Sequence, residues 1–354
     1  MTLQDILAAI AVVINGLPQG LLALTYGFGA FPTALGFLVG AAGMLLFGQV
    51  APISFQAESI VLAGSLGKNR SERLNIVFFT GLIMAVVGGL GLLNATIEFI
   101  GPAILNGMMA GVGITLARTG ITMCKEDKIA GGVSMAAAVL TYFITEDLIY
   151  TIVISVFVSS LVWPFARKWL KVEGTEAVTA TEEYEKLVPL KFNLSPNVIR
   201  SVLALVTLQI GGNIAYASVT GGMANAAVDV DKVTLYSGLA DSVSAFFGGG
   251  PVEAIISGTA AAPNPVLCGT LMMLIIAAIL FAKLLPKIAK HVPSQSIAGF
   301  LFILGAITVF PSNIATGVAS EPVTAGITTI VTACTDPFIG MVAGIVVRFL
   351  LGVF

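Results

Sequence analysis

Long apolar stretches poor in Lys and Arg recur along almost the whole chain, separated by short polar breaks. They lie at about 6–26, 31–49, 52–66, 74–96, 101–122, 129–145 and 147–166, and again at about 198–219, 233–248, 251–262, 266–285, 293–310, 322–335 and 336–354. A helix needs about 20 apolar residues to cross the hydrocarbon of a bilayer, so the pattern predicts an all-α polytopic membrane protein with fourteen transmembrane segments. Composition removes the soluble alternatives: only 10% of the 354 residues are charged and the mean hydropathy is +1.00, against about a quarter charged in a soluble domain. Cys124, Cys268 and Cys334 form no C-x-x-C pair and His291 is the only histidine. Metal clusters, disulfide frameworks and His-based triads are therefore poorly supported, and the expectation is a chain that is not an enzyme and carries no cofactor. A net charge of -2 favours no nucleic-acid partner. Met1 to Asp5 lacks a basic stretch and runs straight into apolar sequence, which reads as a first span rather than a cleaved signal.

Charge placement supports the segment count. Lys68, Arg70, Arg73, Lys125, Lys128, Arg167, Lys168, Lys171, Lys186, Lys191, Arg200, Lys283, Lys287 and Lys290 all follow odd-numbered segments. Even-numbered connections carry Glu98, Glu146, Asp147, Asp229, Asp231 and Glu321 against the single Lys232. The basic connections thus share one side of the membrane, and the positive-inside rule places that side in the cytoplasm and both termini outside. Residues 172–197, with Glu173, Glu176, Glu182, Glu183, Glu185, Lys186 and Lys191, form the only long polar interval. They read as a solvated linker between a first half, 1–171, and a second half, 198–354.

The halves repeat each other. Ile6-Leu7-Ala8 to Ile14-Asn15-Gly16 matches Val202-Leu203-Ala204 to Ile210-Gly211-Gly212. Phe47-Gly48 before Pro52 matches Phe247-Gly248 before Pro251, and Ile100-Gly101-Pro102 leading to Gly107 matches Val292-Pro293 leading to Gly299. Thr145-Glu146-Asp147 matches Thr335-Asp336. Matches in one order at similar offsets argue for duplication. Seven spans per half is an odd number, so the second copy enters the membrane inverted. The stretches 52–66 and 251–262 are too short or too polar for ordinary spans, and each begins with Pro after a Gly-containing turn, so they read as broken segments. Inverted repeats with interrupted helices at corresponding positions are the architecture of secondary transporters, with the solute held where the breaks meet.

Ionisable groups inside lipid cost roughly 2.5 to 3.5 kcal/mol each at the helix centre on insertion scales, which makes the few present candidates for function. Glu58 and Glu253 stand out, one in each broken segment, with Ser54, Gln56 and Ser59 around the first and Ala254, Ser257 and Gly258 around the second. The first and eighth spans offer Asn15 with Gln19 and Gln209 with Asn213, each pair at i, i+4 and so on one helix face. Amides donate and accept at once, which suits a flat heterocycle with alternating N–H and C=O groups; their structural alternative is to tie helices together. Arg118, the basic residue inside an early span, is an alternative partner for either carboxylate. A carboxyl group in a low-dielectric cavity can carry a proton near neutral pH, so Glu253 and Glu58 are the candidates for proton coupling. Gly248-Gly249-Gly250 lacks the Gly-Lys-Ser/Thr of a phosphate loop and reads as close helix packing instead.

The run from Gly238 to Gly248 followed by Pro251 resembles the junction of spans nine and ten in the nucleobase-ascorbate transporter family, which includes uracil, xanthine and hypoxanthine/guanine permeases. Val292-Pro293 to Gly299 resembles that family's start of span twelve. The resemblance implies seven plus seven inverted spans with a short strand plus half helix in spans three and ten. It also implies a core domain from spans 1 to 4 and 8 to 11 and a gate domain from spans 5 to 7 and 12 to 14. It places the family's acidic span-eight residue at Gln209, the polar residue after it at Asn213 and the span-ten Glu at Ser257, with Glu253 one turn earlier. The expected function is proton- or sodium-driven transport of a nucleobase across the cell membrane by alternating access, and a homodimer through the gate domain is compatible with it. The family places both termini in the cytoplasm, opposite to the charge count, and the two orientations stand as alternatives. Leu17-Pro18-Gln19-Gly20-Leu21 resembles instead the span-one signature of the sulfate/anion permease family, which has the same fold, and Ser257 is also that family's residue. Its basic residue after that Ser is Gly258 here, no regulatory domain follows Phe354, and two carboxylates would repel an anion, so the nucleobase reading ranks first. A channel ranks behind both, because the polar residues cluster in the two breaks rather than along a path.

Overall fold

A computed structural model describes residues 1–170, 182–289 and 291–352. In chain order the elements are α1 (Leu3–Thr25), α2 (Ala30–Phe47), β1 (Ile53–Ser54), α3 (Ala57–Leu66), α4 (Arg70–Gly89), α5 (Leu93–Ile100), α6 (Pro102–Glu126), α7 (Ala130–Thr145) and α8 (Leu148–Leu170). After the polar interval come α9 (Pro196–Ala224), α10 (Val230–Phe246), β2 (Glu253–Ala254), a 3-10 turn (Gly258–Ala261), α11 (Pro265–Phe281) and α12 (Leu284–Ala289). They are followed by α13 (Ala298–Ile303), α14 (Phe310–Ser320), α15 (Pro322–Cys334) and α16 (Pro337–Leu350). Leu3–Thr25, Ala30–Phe47, Arg70–Gly89, Pro102–Glu126, Pro196–Ile214 and Gln295–Ser320 are each long and apolar enough to cross a membrane. Shorter apolar helices fill much of the rest.

Local chemistry sets the boundaries. Thr2 and Asp5 close a reciprocal cap on α1, Asn69, Ser195, Asp229 and Asp336 accept backbone N–H groups at the starts of α4, α9, α10 and α16, and Pro occupies the first turn of α6, α9, α11, α15 and α16. Gly48 ends α2 with φ +61°, a backbone conformation that a Cβ would strain. The chain is apolar outside: Leu46 is 78% exposed and Ile144 80% exposed, while Asn75, Thr80, Asp241 and Ser257 are fully or almost fully buried. That inversion of the soluble pattern belongs to a protein whose solvent is lipid.

The chain divides into two compact units. The first, residues 1–99 and 180–285, packs α10 against α4 and α2, α11 against α2 and α1, and α9 against α4. Its core holds Phe28, Phe37, Met44, Phe55, Ile60 and Tyr236, with the Phe37 and Phe55 rings 5.2 Å apart edge to face. Tyr236 donates its hydroxyl to the Ala51 carbonyl, tying α10 to the approach to β1. The helices of this unit come together on small residues. A Cβ on Gly238 would stand 2.5 Å from both the Gly81 carbonyl oxygen and the Ala85 nitrogen, backbone atoms of α4 that cannot swing aside. Gly238→Ala should therefore destabilise the unit by about 1–3 kcal/mol, the usual cost of overpacking, seen as a lower midpoint of thermal unfolding in detergent. An unchanged midpoint would mean that the two helices do not approach as described.

The second unit, residues 100–179 and 286–354, gathers α7, α13, α14, α15 and α16 around or beside α6, with α8 on α7. Between α13 and α14 the backbone widens into a π-helical stretch, Leu304–Val309. Pro311 cannot donate to the Ile307 carbonyl, and Gly305 lies against the Gly113 carbonyl and Ala117 nitrogen of α6, so the wider turn relieves both constraints.

Two expectations need correction. The stretch 251–262 contains a strand followed by one 3-10 turn of four residues, not a half helix. Pro263 and Pro265 remove two backbone donors just beyond it, and residues before Pro are pushed out of the α region, so the turn cannot lengthen. The polar interval is not simply solvated. Its residues 172–181 lie outside the described residues, but both oxygens of the buried Glu185 carboxylate accept the first N–H groups of α2, from Ala30 at 2.9 Å and Phe31 at 2.7 Å. Beyond it Leu190 donates to the Phe246 carbonyl, and Asn75 clasps Lys191 and Asn193 through their backbones.

Candidate functional site

Within the first unit the two broken segments meet. Pro52 and Pro251 end the preceding turns, and β1 pairs antiparallel with β2, Ile53 opposite Ala254 and Ser54 opposite Glu253. A further bond from the Ile255 nitrogen to the Pro52 carbonyl, 3.2 Å, extends the contact. Two residues per strand make a weak ladder in water. Buried in a bilayer-facing unit, it satisfies backbone groups for which no water is at hand.

The pairing delivers Glu58 and Glu253 to one place. Glu58 sits in the first turn of α3, whose leading N–H, from Ala57, is accepted by Gln19 Oε1 of α1 at 2.9 Å. Tyr216 of α9 donates its hydroxyl to Glu58 Oε1 at 3.1 Å. Glu253 Oε1 accepts from Gln209 Nε2 at 2.7 Å, and the same amide nitrogen donates to Asp241 Oδ2 of α10 at 2.7 Å. The other Asp241 oxygen accepts the Val252 N–H at 2.6 Å. One Gln side chain thus spans two buried carboxylates, and Asp241 anchors the backbone immediately before β2.

Gln56, Glu58, Ser59, Leu208, Gly212, Tyr216 and Glu253 line a small cleft with a cavity volume of about 10 Å³. Glu58 is 6% exposed, and its Oε2 has no hydrogen-bond partner. A buried carboxylate oxygen left unpaired costs more than a neutral polar atom would. Among the described residues, the cleft lining holds no Lys, Arg or His.

Of the residues expected at the site, Gln56, Glu58 and Glu253 line this cleft and Gln209 holds Glu253 from behind. The others take structural places. Gln56 also donates to the Ala254 carbonyl at 3.1 Å, and Ala254 itself belongs to the ladder. Gln19 caps α3. Asn213 points to Thr234 of α10, 3.3 Å from its hydroxyl oxygen. Ser257 caps the 3-10 turn, accepting the Thr259 N–H at 3.2 Å with its hydroxyl 2.7 Å from that of Thr259. Asn15 is half-buried in α1 and Arg118 is exposed on α6.

Two participants escaped the sequence reading. Asp241 lies in the apolar stretch 233–248 and met the same criterion that singled out Glu58 and Glu253, an ionisable group inside a span. Tyr216 follows Gln209 and Gly212 at i+7 and i+4, the face that α9 turns to the cleft.

No protein-family model matches the sequence, and no curated protein does. Solved structures of the same fold exist. The transmembrane domain of the cyanobacterial bicarbonate transporter BicA superposes with a TM-score of 0.71 at 13% identity, over 96% of this chain and 96% of that one. SLC26A9 superposes at 0.66 and 14% identity, over 99% of this chain and 65% of that one. The murine Slc26a9 anion transporter in the inward-facing state gives 0.66 and 15% identity, over 99% and 68%. The chain therefore has the fold of these transmembrane domains and is a multi-pass membrane protein. The likeness falls on anion transporters, not on the nucleobase-ascorbate family that the motifs of the second half resemble. Those motifs are Gly- and Pro-bearing breaks, which answer to backbone sterics rather than to the solute.

Proposed function

We propose that the chain is a secondary active transporter of a small inorganic anion of the bicarbonate or sulfate type, which enters the cleft together with protons taken up by Glu58 and Glu253. In this reading fourteen segments cross the bilayer as seven plus seven inverted spans. The first unit is the core domain that holds the solute, and the second is the gate domain of an alternating-access carrier.

The cleft carries the reading. Its lining sets two carboxylates, a tyrosine hydroxyl, an amide and a serine hydroxyl around one small space, a donor-rich setting for a compact polar solute. The likeness of fold to bicarbonate and other anion transporters points the same way. Charge dictates the coupling. An anion about 4 Å from an ionised carboxylate is repelled by about 4 kcal/mol at an effective dielectric constant of 20, and two carboxylates line the cleft. Protonating them turns repulsion into hydrogen-bond donation, so anion and proton bind cooperatively. Tyr216, Gln56 and Ser59 supply further donors.

Counterflow in liposomes containing the purified protein tests this. Labelled bicarbonate or sulfate should show saturable exchange, accelerated at least about tenfold by an inward proton gradient. Saturable exchange of uracil, xanthine or guanine with no anion exchange would restore the nucleobase reading. Flux without saturation or counterflow would mark a pore.

A further inference from the structure

The second unit carries a feature that transport does not use. Phe157, Ser160 and Leu161 of α8, with Ile288, His291 and Val292, line an open groove with a volume of about 360 Å³. Phe157, Leu161 and Ile288 are each more than two-fifths exposed along it. Phe157 and Leu161 share one stripe of α8, so the floor of the groove runs along the helix axis. An apolar trough of this kind, open to the side, matches an acyl chain in shape and chemistry.

Basic residues continue both walls of the trough. Lys168 lies seven residues beyond Leu161 and eleven beyond Phe157, within about 20° of the same helix face and about 10 Å farther along α8. On the other wall Lys287 precedes Ile288, and the His291 ring nitrogen Nδ1 sits 3.2 Å from the Lys287 carbonyl oxygen, one turn above it. Lys168, Lys287 and His291 are all exposed, and among the described residues no acidic side chain lines the groove. The depth in the membrane is marked independently. Two residues beyond Leu161, the Trp163 indole donates to Asp127 Oδ2 at 3.0 Å, in the polar connection between α6 and α7. An indole with its polar edge on a connecting loop marks the membrane–water boundary. The trough therefore starts in hydrocarbon and ends at the headgroup level.

We infer that this groove is a binding site for an anionic glycerophospholipid, with one acyl chain along Phe157, Leu161 and Ile288 and the phosphate between Lys168, Lys287 and His291. The apolar trough alone would accept any phospholipid; the cations at its mouth select the anionic ones. Each cation near a membrane surface favours an anionic headgroup by about fivefold, so the pair of lysines should give a preference of about 25-fold over phosphatidylcholine.

Native mass spectrometry of the detergent-purified protein, titrated with phosphatidylglycerol or phosphatidylcholine, reads this directly. The expected result is one tightly retained phosphatidylglycerol and at least about tenfold weaker retention of phosphatidylcholine. The double variant Lys168→Glu, Lys287→Glu should abolish the preference, and Leu161→Trp, which fills the trough, should remove the bound lipid of either kind. Both positions are exposed, so elution as a single species and an unchanged melting midpoint will report intact folding. Equal retention of the two lipids by the unmodified protein would overturn the inference. So would a phosphatidylglycerol adduct that survives both variants. Neither result bears on the carrier reading, because the groove lies in the unit that does not hold the cleft.

Discussion

Glu253→Gln should abolish the acceleration of anion uptake by an inward proton gradient, leaving a gradient-independent rate at least about tenfold lower, while the protein remains folded and monodisperse. Glutamine has the size of glutamate and keeps an oxygen that can accept from Gln209, whose amide now reaches Glu253 at 2.7 Å. What it loses is the capacity to gain and release a proton. If the carboxyl group brings the proton that offsets the anion, the variant holds the cleft permanently neutral at that position and uptake no longer answers to the proton gradient. Initial rates in liposomes at a fixed inside pH and stepped outside pH separate the cases. The native protein should speed up as the outside is acidified, and the variant should give a flat line. Retained pH dependence would transfer the role to Glu58, whose Oε2 is the unpartnered carboxylate oxygen of the cleft, and Glu58→Gln is the matching measurement. Retention in both variants would remove protons from the mechanism.

Asp241→Asn should be more damaging than its near-identity of shape suggests. Both oxygens of Asp241 are occupied by donors, the Val252 N–H at 2.6 Å and the Gln209 amide at 2.7 Å. Asparagine offers one oxygen and one NH2 group, so whichever way it is turned, a donor faces a donor. Leaving a buried donor unmet costs about 1–3 kcal/mol, more where the lost partner was charged. The loss falls on the residue before β2 or on the side chain that aligns Glu253. The expected result is a melting midpoint several degrees lower, and among the molecules that remain folded a raised half-saturation constant for the solute. Asp241→Glu keeps two acceptors and should perform better than Asn despite its greater length. If Asn behaved like the native protein, the Asp241–Gln209–Glu253 chain would have no part in holding the break. These two variants probe different properties, since Glu253→Gln removes a titratable group and preserves hydrogen bonds, whereas Asp241→Asn disrupts hydrogen bonds outside the cleft lining.

The membrane class could be read from local features, since a stretch of apolar residues without charge has one stable environment whatever packs beside it. Breaks at Pro52 and Pro251 were equally legible, because a missing N–H and a preceding Gly act within a few residues. The side chains assigned from helical spacing fared differently. Asn213 shares a face with Gln209 in sequence terms, yet it turns to Thr234, because a face spans two or three neighbours and periodicity does not say which one a residue meets. Gln19, expected at the solute, accepts the Ala57 N–H at the first turn of α3. An amide satisfies a helix end as readily as a ligand, and only distance separates the two. The nucleobase reading rests on motifs that describe how a chain breaks, whereas the solved structures that share the fold include anion transporters.

By itself the sequence determined the solvent, the mostly helical class and the two places where helices give way, all consequences of hydrophobic transfer and backbone sterics acting over a few residues. Tertiary structure alone decided that β1 and β2 pair, that Glu58 and Glu253, 195 positions apart in number, share one cleft with Tyr216, and that Asp241 holds Gln209 behind it. Those are long-range contacts among buried polar groups. Their partners are chosen by which donors and acceptors remain unsatisfied once every helix has packed, a condition of the assembled unit that no window of residues contains.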